Sequence, residues 1–242
     1  MSRPLLLLAL LATASGLAWL WLAPSDLRLD VDPRCREVAL LLPAETLGRR
    51  TADAVLRALP ELTSSENRPA LRAQLAKPTL NSAARATIGF IPGQPAELIE
   101  DTPETSTGGK IIPGIARVQL RGVPHGYLLV HAAPANALLE TAGRRRWLGR
   151  ALTEAGAPAE SATIAVGETD DGSFLVATVA FAYRTGDEAE TALKRLTEKQ
   201  GDFEALGFAA RPGTHRITRQ TKLLVIRFDI ETDLVLQALG RR

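Results

Sequence analysis

The stretch that decides the fold is SFLVATVAFAY, residues 173–183, which is apolar at nearly every position. Successive side chains of a strand point to opposite faces of a sheet, so this composition requires cover on both faces. Asp171-Gly172 just before it is a strong signal for a two-residue hairpin turn, and SATIAVG (161–167) supplies the partner strand. The sequence therefore predicts a hairpin at the centre of a covered sheet.

Helical and strand patterns alternate around this hairpin. GYLLVHA (126–132) and KLLVIRFDI (222–230) predict strands, and residues 134–156 predict a helix that bends at Gly143. A second helix passes through residues 193–196, with Asp187 and Glu190 as its expected capping pair. The order β-α-β-β-α-β, with helices on one side of an antiparallel sheet, is typical of the ferredoxin-like arrangement. We therefore expect an α+β fold in which residues 123–242 form a ferredoxin-like α/β sandwich.

The preceding part of the chain, residues 25–122, predicts a first α/β unit. DLRLDVD (26–32) alternates strictly between charged and apolar residues, which indicates a half-buried strand. Pro, Thr, Gly and Glu dominate residues 93–110, which predicts a long surface loop. Further strands are expected at 37–42, 85–91 and 115–121, helices at 43–60 and 64–76, and a closing helix at 232–239.

The two halves echo each other. Pro43-Ala44 and the Gly-Arg-Arg that follows it resemble Pro134-Ala135 and its own Gly-Arg-Arg. ATIGF (86–90) resembles ATIAV (162–166), and GGKIIPGIARVQLRG then falls where DGSFLVATVAFAYRTG falls. Either the chain contains two related βαββ units, or a composition rich in Ala, Leu and Arg produces the likeness.

Residues 5–23, LLLLALLATASGLAWLWLA, contain no charge over nineteen positions. As a helix they would span roughly 28 Å, close to the hydrocarbon thickness of a bilayer. Trp19 and Trp21 near the far end suit the membrane interface. We expect residues 1–24 to form an uncleaved signal-anchor that crosses the lipid bilayer. Ala12-Thr13-Ala14 also fits a signal-peptidase site, so a cleaved leader is one alternative, and a buried apolar helix is another.

The orientation follows from charge. Arg3 precedes the apolar stretch, whereas acidic and basic residues balance just after it. By the positive-inside tendency, the N-terminus is expected in the cytoplasm and the rest of the chain outside. The richness in Ala, Leu and Arg is typical of bacteria, which makes the expected location the inner membrane with a periplasmic C-terminal domain.

The chain is neither strongly basic nor strongly acidic. The chain has 29 basic and 27 acidic residues, a formal net charge of +2, so we expect no nucleic-acid partner. Cys35 is the single cysteine, which excludes an internal disulfide and leaves a half-buried thiol or a disulfide across a dimer. Glycine spacings typical of nucleotide sites and histidine spacings typical of metal proteases do not occur, so we expect no cofactor and no metal.

Two surface stretches are candidates for binding a partner. Arg144, Arg145 and Arg146 precede Trp147 and could contact anionic headgroups or an acidic protein. Leu27, Leu29 and Val31 lie on one face of a possible edge strand that could accept a strand from another chain. The expected partner is another envelope protein or a second copy.

These observations favour a membrane-anchored, extracytoplasmic interaction or assembly module without catalysis. One alternative is an extracytoplasmic hydrolase in which His125 or His131 meets an acid such as Asp170 or Asp171. Otherwise these histidines make ordinary hydrogen bonds. The other alternative is a soluble periplasmic ligand-binding protein released by leader cleavage.

Overall fold

The computed structural model describes residues 27–29, 31–41, 66–75, 86–95, 97–100, 110–113, 127–144, 150–168, 174–198 and 214–231. These residues form an α+β fold, which confirms the predicted class. The strands are β1 (Leu27–Leu29), β2 (Glu37–Leu41), β3 (Ala86–Phe90), β4 (Glu97–Glu100), β5 (Lys110–Ile112), β6 (Tyr127–Ala132), β7 (Ser161–Glu168), β8 (Phe174–Ala182), β9 (Arg216–Gln220) and β10 (Leu223–Glu231). The helices are α1 (Arg68–Leu75), α2 (Ala135–Arg144), α3 (Arg150–Gly156) and α4 (Gly186–Glu198).

Eight of the strands form one sheet in the order β4-β3-β2-β6-β7-β8-β10-β9. Every neighbouring pair is antiparallel. The pairing of β2 with β6 joins the predicted units 25–122 and 123–242 in a single sheet. β8 lies inside the sheet and is buried along nearly its whole length, as its composition predicts. Its register with β7 sets Glu168 opposite Leu175, and the turn predicted at Asp171-Gly172 between them lies outside the described residues.

The strand order shows that the ferredoxin-like part of the prediction is wrong. That arrangement contains parallel strands joined by single-helix crossovers, but β6 lies directly beside β7 and is antiparallel to it. Two described helices, α2 and α3, lie between β6 and β7, and β9 precedes β10 in the later connection, so neither connection matches the single-helix crossover that the sequence predicts.

The helices cover one face of the sheet, as expected. All four described helices contribute side chains to one apolar cluster, which also contains Ile88, Val130, Ile164 and Phe181 from the strands. The helical members are Leu71, Ala135, Leu138, Leu139, Ala151, Leu152, Ala155, Ala189, Ala192 and Leu196. This cluster is the larger part of the core.

The second face is covered by a smaller structure. β1 and β5 pair antiparallel as a two-stranded sheet, here called the ribbon, and residues 31–36 connect it to β2. Val31, Cys35 and Ile112 from this region form a second apolar cluster with residues of β2, β6, β7, β8 and β10. The sheet therefore has an apolar cover on each side.

The loop expected at 93–110 is partly wrong. Residues 97–100 form β4, which pairs with β3, and β5 begins at Lys110. Pro92-Gly93 does form the expected turn: the Gln94 N–H donates to the Ile91 carbonyl at 3.1 Å, and Gly93 has a φ of 75°. Strand β4 is not predicted by the sequence, because the segment ELIE (97–100) is short and lies among prolines.

The N-terminus of α4 differs from the expected Asp187 and Glu190 cap. Thr185 Oγ1 accepts the backbone N–H of Glu188 at 3.2 Å, and Glu188 Oε2 accepts the N–H groups of Arg184 and Thr185 at 3.1 and 3.3 Å. This is a capping box, with a threonine followed three residues later by a glutamate. The correct pair therefore lies two residues earlier than predicted.

Several predicted elements fall outside the described residues: the helices at 43–60 and 232–239, the strand at 115–121, and the stretch 5–23 with Trp19 and Trp21. Within the described ranges, none of the helices has the length and apolar character needed to cross a bilayer.

The end of α3 provides a test of the helix packing. A Cβ atom on Gly156 would lie 2.5 Å from Phe181 Cε1 and 3.0 Å from Leu139 Cδ1. Gly156→Ala should therefore lower the free energy of unfolding by about 1–3 kcal/mol through overpacking. Gly186→Ala is the matched control, because the nearest atom to its Cβ would be 3.4 Å away. Denaturant unfolding followed by circular dichroism would measure both, and an equal effect of the two variants would contradict the described packing.

The capping box provides a second test. Thr185→Ala should lower the stability of the protein by about 0.5–2 kcal/mol, because it removes the acceptor for the Glu188 N–H. Thr191→Ala is the control, since Thr191 is exposed inside α4 and its hydroxyl only donates to the Asp187 carbonyl. We expect no loss of stability in the control. Similar losses in both variants would show that the cap lies elsewhere.

Candidate interaction surface

The ribbon has an inner and an outer face. Ile112 is fully buried against the large sheet, whereas Ile111 is 48% exposed. Neighbouring residues of a strand point to opposite sides, so Ile112 belongs to the inner face and Ile111 to the outer face. The paired positions are Leu27 with Ile112, Arg28 with Ile111, and Leu29 with Lys110.

A row of residues on the ribbon's side of the sheet runs across six strands. In register, these are Gly89, Val38, His131, Thr163, Ala180 and Val225. All six are buried. Such a row would be open to water on a sheet with helices on one face only, so its burial shows how completely the second face is covered.

Cys35 lies at one end of this row. Its side chain is 1% exposed, and a Cβ on Gly89 would lie 2.6 Å from its Sγ atom. Glycine at position 89 therefore makes room for the thiol. In this position Cys35 is a core residue, more deeply buried than the half-buried thiol expected from the sequence.

The turn that directs Cys35 inward is held by Asp32. Its carboxylate accepts the Arg34 backbone N–H at 2.8 Å, Nε at 3.0 Å and Nη2 at 2.6 Å, and its carbonyl accepts the Cys35 N–H at 3.0 Å. The hydrogen bonds from the Arg34 side chain, and then from its backbone, lower the pKa of Asp32 from 3.8 to about 2. A lowered pKa stabilises the turn at neutral pH, and this contribution is lost as the pH falls from about 4 towards 2.

His131 occupies the middle of the buried row. Its ring is 2% exposed, and Nδ1 lies 2.9 Å from Thr163 Oγ1, its neighbour in register on β7. The histidine therefore has a structural role inside the sheet. The other residues of the hydrolase alternative, His125, Asp170 and Asp171, lie outside the described residues.

The residues predicted to bind a partner are placed as follows. Leu27 and Leu29 lie in β1, whose backbone pairs with β5 of the same chain, and Val31 is 4% exposed within the second apolar cluster. Arg144 is the last residue of α2, and Arg145 and Arg146 lie outside the described residues. The structure therefore pairs the backbone of β1 within the chain and places Val31 in the cover of the sheet.

β9 is a surface element that the sequence analysis missed. It is the last strand of the sheet, and its Arg216, Thr218 and Arg219 are exposed. Arg219 Nη1 lies 3.0 Å from Glu190 Oε2 of α4, which ties the strand to the helix layer. Charged side chains on an outer strand discourage unspecific pairing with other sheets.

Neither the chemical groups of the described residues nor a similarity to known proteins indicates what this surface binds. In the part of the chain that the structure describes, no three His, Cys, Asp or Glu side chains are grouped so that they could hold a metal ion. No protein-family model, curated protein or solved structure matches the chain. The candidate surface is therefore described from its own residues, with the ribbon as its best-defined part.

The cover of the second face can be tested with two adjacent residues. Ile112→Ala should destabilise the ribbon by about 2–5 kcal/mol, because it leaves a cavity in the second cluster. Ile111→Ala is the matched control, since nearly half of its side chain is already in water. The rate at which a thiol reagent modifies the buried Cys35 reports opening of the cover. We expect a more than tenfold faster reaction in Ile112→Ala only, and equal rates would contradict this packing.

Proposed function

We propose that the protein is a single-pass inner-membrane protein whose folded domain lies in the periplasm and binds another envelope protein or a second copy, without catalysis. The observation that carries this proposal is the position of β1. The uncharged residues 5–23 are followed at Leu27 by a strand that belongs to the fold. The membrane segment would thus continue almost directly into the cover of the sheet.

An anchor explains the sequence better than a leader that is removed. Cleavage after Ala14 would leave Trp19, Trp21 and their leucine neighbours at the start of a mature chain, exposed to water. Cleavage after Ala23 would require Pro24 directly behind the cut bond, where its ring is unfavourable. With the stretch retained, both tryptophans would lie at the outer membrane interface.

Binding is favoured over catalysis by the environment of the polar groups. His131, the one described histidine of the hydrolase alternative, is 2% exposed, and its Nδ1 lies 2.9 Å from Thr163 Oγ1. A general base needs to reach a substrate proton directly or through one water. The arginines at the end of α2, Arg144, Arg145 and Arg146, and the outer strand β9 are the charged regions that we assign to partner contact.

We also propose that the domain consists of two related units. Ile88 of ATIGF corresponds to Ile164 of ATIAV, and these residues lie opposite Ala39 and Val130. Ala39 then corresponds to Val130, a shift of 91 positions (130 minus 39). The same shift of 91 positions separates Pro43 from Pro134 (134 minus 43). The likeness of these two prolines rests on the sequence alone and does not depend on the strand registers. The strand registers thus support one consistent alignment of the halves.

This alignment has an approximate twofold arrangement. Ala39 and Val130 lie opposite each other in the pairing of β2 with β6, so the two units meet around this pair. The strands then follow outwards as β2, β3 and β4 on one side and β6, β7 and β8 on the other. The third strand of the first unit is β4, which corrects the likeness drawn between GGKIIPGIARVQLRG and DGSFLVATVAFAYRTG.

The anchor is tested by fractionation of cells that express the full chain with a tag at its C-terminus. We expect full-length protein with an intact N-terminus in membranes washed at alkaline pH, and protease access to the tag from the periplasm. Leu11→Arg together with Leu17→Arg should release it, since each charge costs about 2.5–3.5 kcal/mol in the bilayer. Leu11→Ile with Leu17→Ile is the control. A shortened N-terminus, or release of the unmodified protein, would contradict the anchor.

Partner binding is tested by chemical crosslinking in intact membranes. The unmodified protein should give a species of higher mass that contains either two copies or a second envelope protein. Reversing the charge of Arg216 and Arg219 together, and separately that of Arg144, Arg145 and Arg146, would show which region carries the contact. Recovery of monomer alone would contradict the proposed function.

A further inference from the structure

We propose that the outer face of the ribbon rests on the lipid surface beside the anchor, with Ile111 in the interfacial layer of the bilayer. This inference depends on the proposed function, because it requires residues 5–23 to remain in the membrane. It goes further by assigning which side of the domain faces the lipid.

The first argument is reach. Five residue steps separate Ala23 from Arg28, and an extended chain covers at most about 3.6 Å per step, or roughly 18 Å in total. Ile111 lies opposite Arg28 in the ribbon, and opposite Cα atoms in antiparallel strands are about 5 Å apart. Ile111 is therefore held within roughly 23 Å of the end of the anchor, less than the width of a domain of this size.

The second argument is the orientation of the ribbon. Its inner face is fixed against the large sheet by Ile112, so its outer face is directed away from the sheet and from the helices beyond it. The anchor would therefore join the ribbon, which lies on the face of the sheet opposite to α4. An anchor joined to this layer favours an orientation in which the helices point into the periplasm.

The third argument is the chemistry of the outer face. In the described part of the chain, Ile111 is the one large apolar side chain that is classed as exposed, at 48%. A single exposed isoleucine is ordinary on a protein surface. This one, however, lies on the strand paired with the first strand after the membrane segment. A partly apolar side chain at that position can enter the interface between headgroups and acyl chains.

The expected contact does not depend on anionic lipid. Around the ribbon, Asp26, Asp30 and Asp32 offset Arg28, Arg34 and Arg36, which leaves Lys110 and a small local net charge of +1 (four basic minus three acidic residues). Attraction to negatively charged headgroups requires clusters of basic residues. The contact should therefore form on zwitterionic phosphatidylcholine as well, and should change little with salt.

The experiment uses the full chain in phosphatidylcholine vesicles. Ile111→Cys is labelled with an environment-sensitive fluorophore, and quenching by lipids that carry a nitroxide near the headgroup is measured. Thr191→Cys is the control, because Thr191 is exposed on α4 at the opposite side of the sheet. Cys35 remains in both variants, since its burial keeps it unlabelled while the protein is folded. We expect several-fold stronger quenching at position 111 and a blue-shifted emission there only.

The possible outcomes separate this inference from the proposed function. If the protein resists the alkaline wash but both labels are quenched equally, the orientation is wrong and the anchor stands. If full-size protein is released by the wash, the proposed function and the orientation both fail. Labelling of Cys35 in Ile111→Cys would reveal a misfolded variant, in which case Ile111→Trp, with quenching measured against the unmodified protein, replaces it as the probe.

Discussion

A sheet with two apolar faces must be covered twice, and this constraint governs the structure of the protein. β8 contributes Val179 and Phe181 to the cluster beneath the helices and Ala180 to the cluster beneath the ribbon. Helices alone cannot satisfy such a strand, because they pack on one side. The ribbon and the turn at Asp32 supply the second cover. Completion of the core and the membrane attachment that we propose for the N-terminus therefore involve the same short segment.

The sequence predicts strands and helices most accurately where apolar residues recur regularly or strong turn residues occur. Strands β2, β3, β6, β7, β8 and β10 and the helix at 186–198 could be predicted within a few residues, because each has a long apolar periodicity or strong turn residues. Strands β4, β5 and β9 are short and are surrounded by prolines or polar residues. β5 pairs with the distant β1, whereas β4 and β9 form hairpins with their sequence neighbours β3 and β10. The β9–β10 turn also uses Thr221 at a φ of 46°, without the glycine that usually signals a hairpin.

Topology was predictable only in part, since direction depends on how many elements lie between two strands. The pattern of residues 134–156 predicts one bent helix, whereas the structure has two helices, α2 and α3, and β6 pairs antiparallel with β7. No local residue pattern indicates that β9 precedes β10, so this part of the strand order could not be predicted.

The candidate surface shows a different limit of the sequence. Alternation in residues 26–32 predicts a strand in need of a partner, but it does not distinguish a strand of another protein from β5 of the same chain, with which β1 pairs. Val31 was therefore expected at an interface and lies in the core. The burial of His131 likewise depends on a cover that is distant in sequence.

The most direct test of the account is hydrogen exchange measured across the whole purified chain. The account predicts slow exchange of the amides in β7 and β8, and measurable protection of β1 and β5, which should open together because they pair with each other. If residues 27–29 exchange as fast as an unfolded chain while Lys110–Ile112 stay protected, the ribbon does not exist as described. The second face of the sheet would then need another cover.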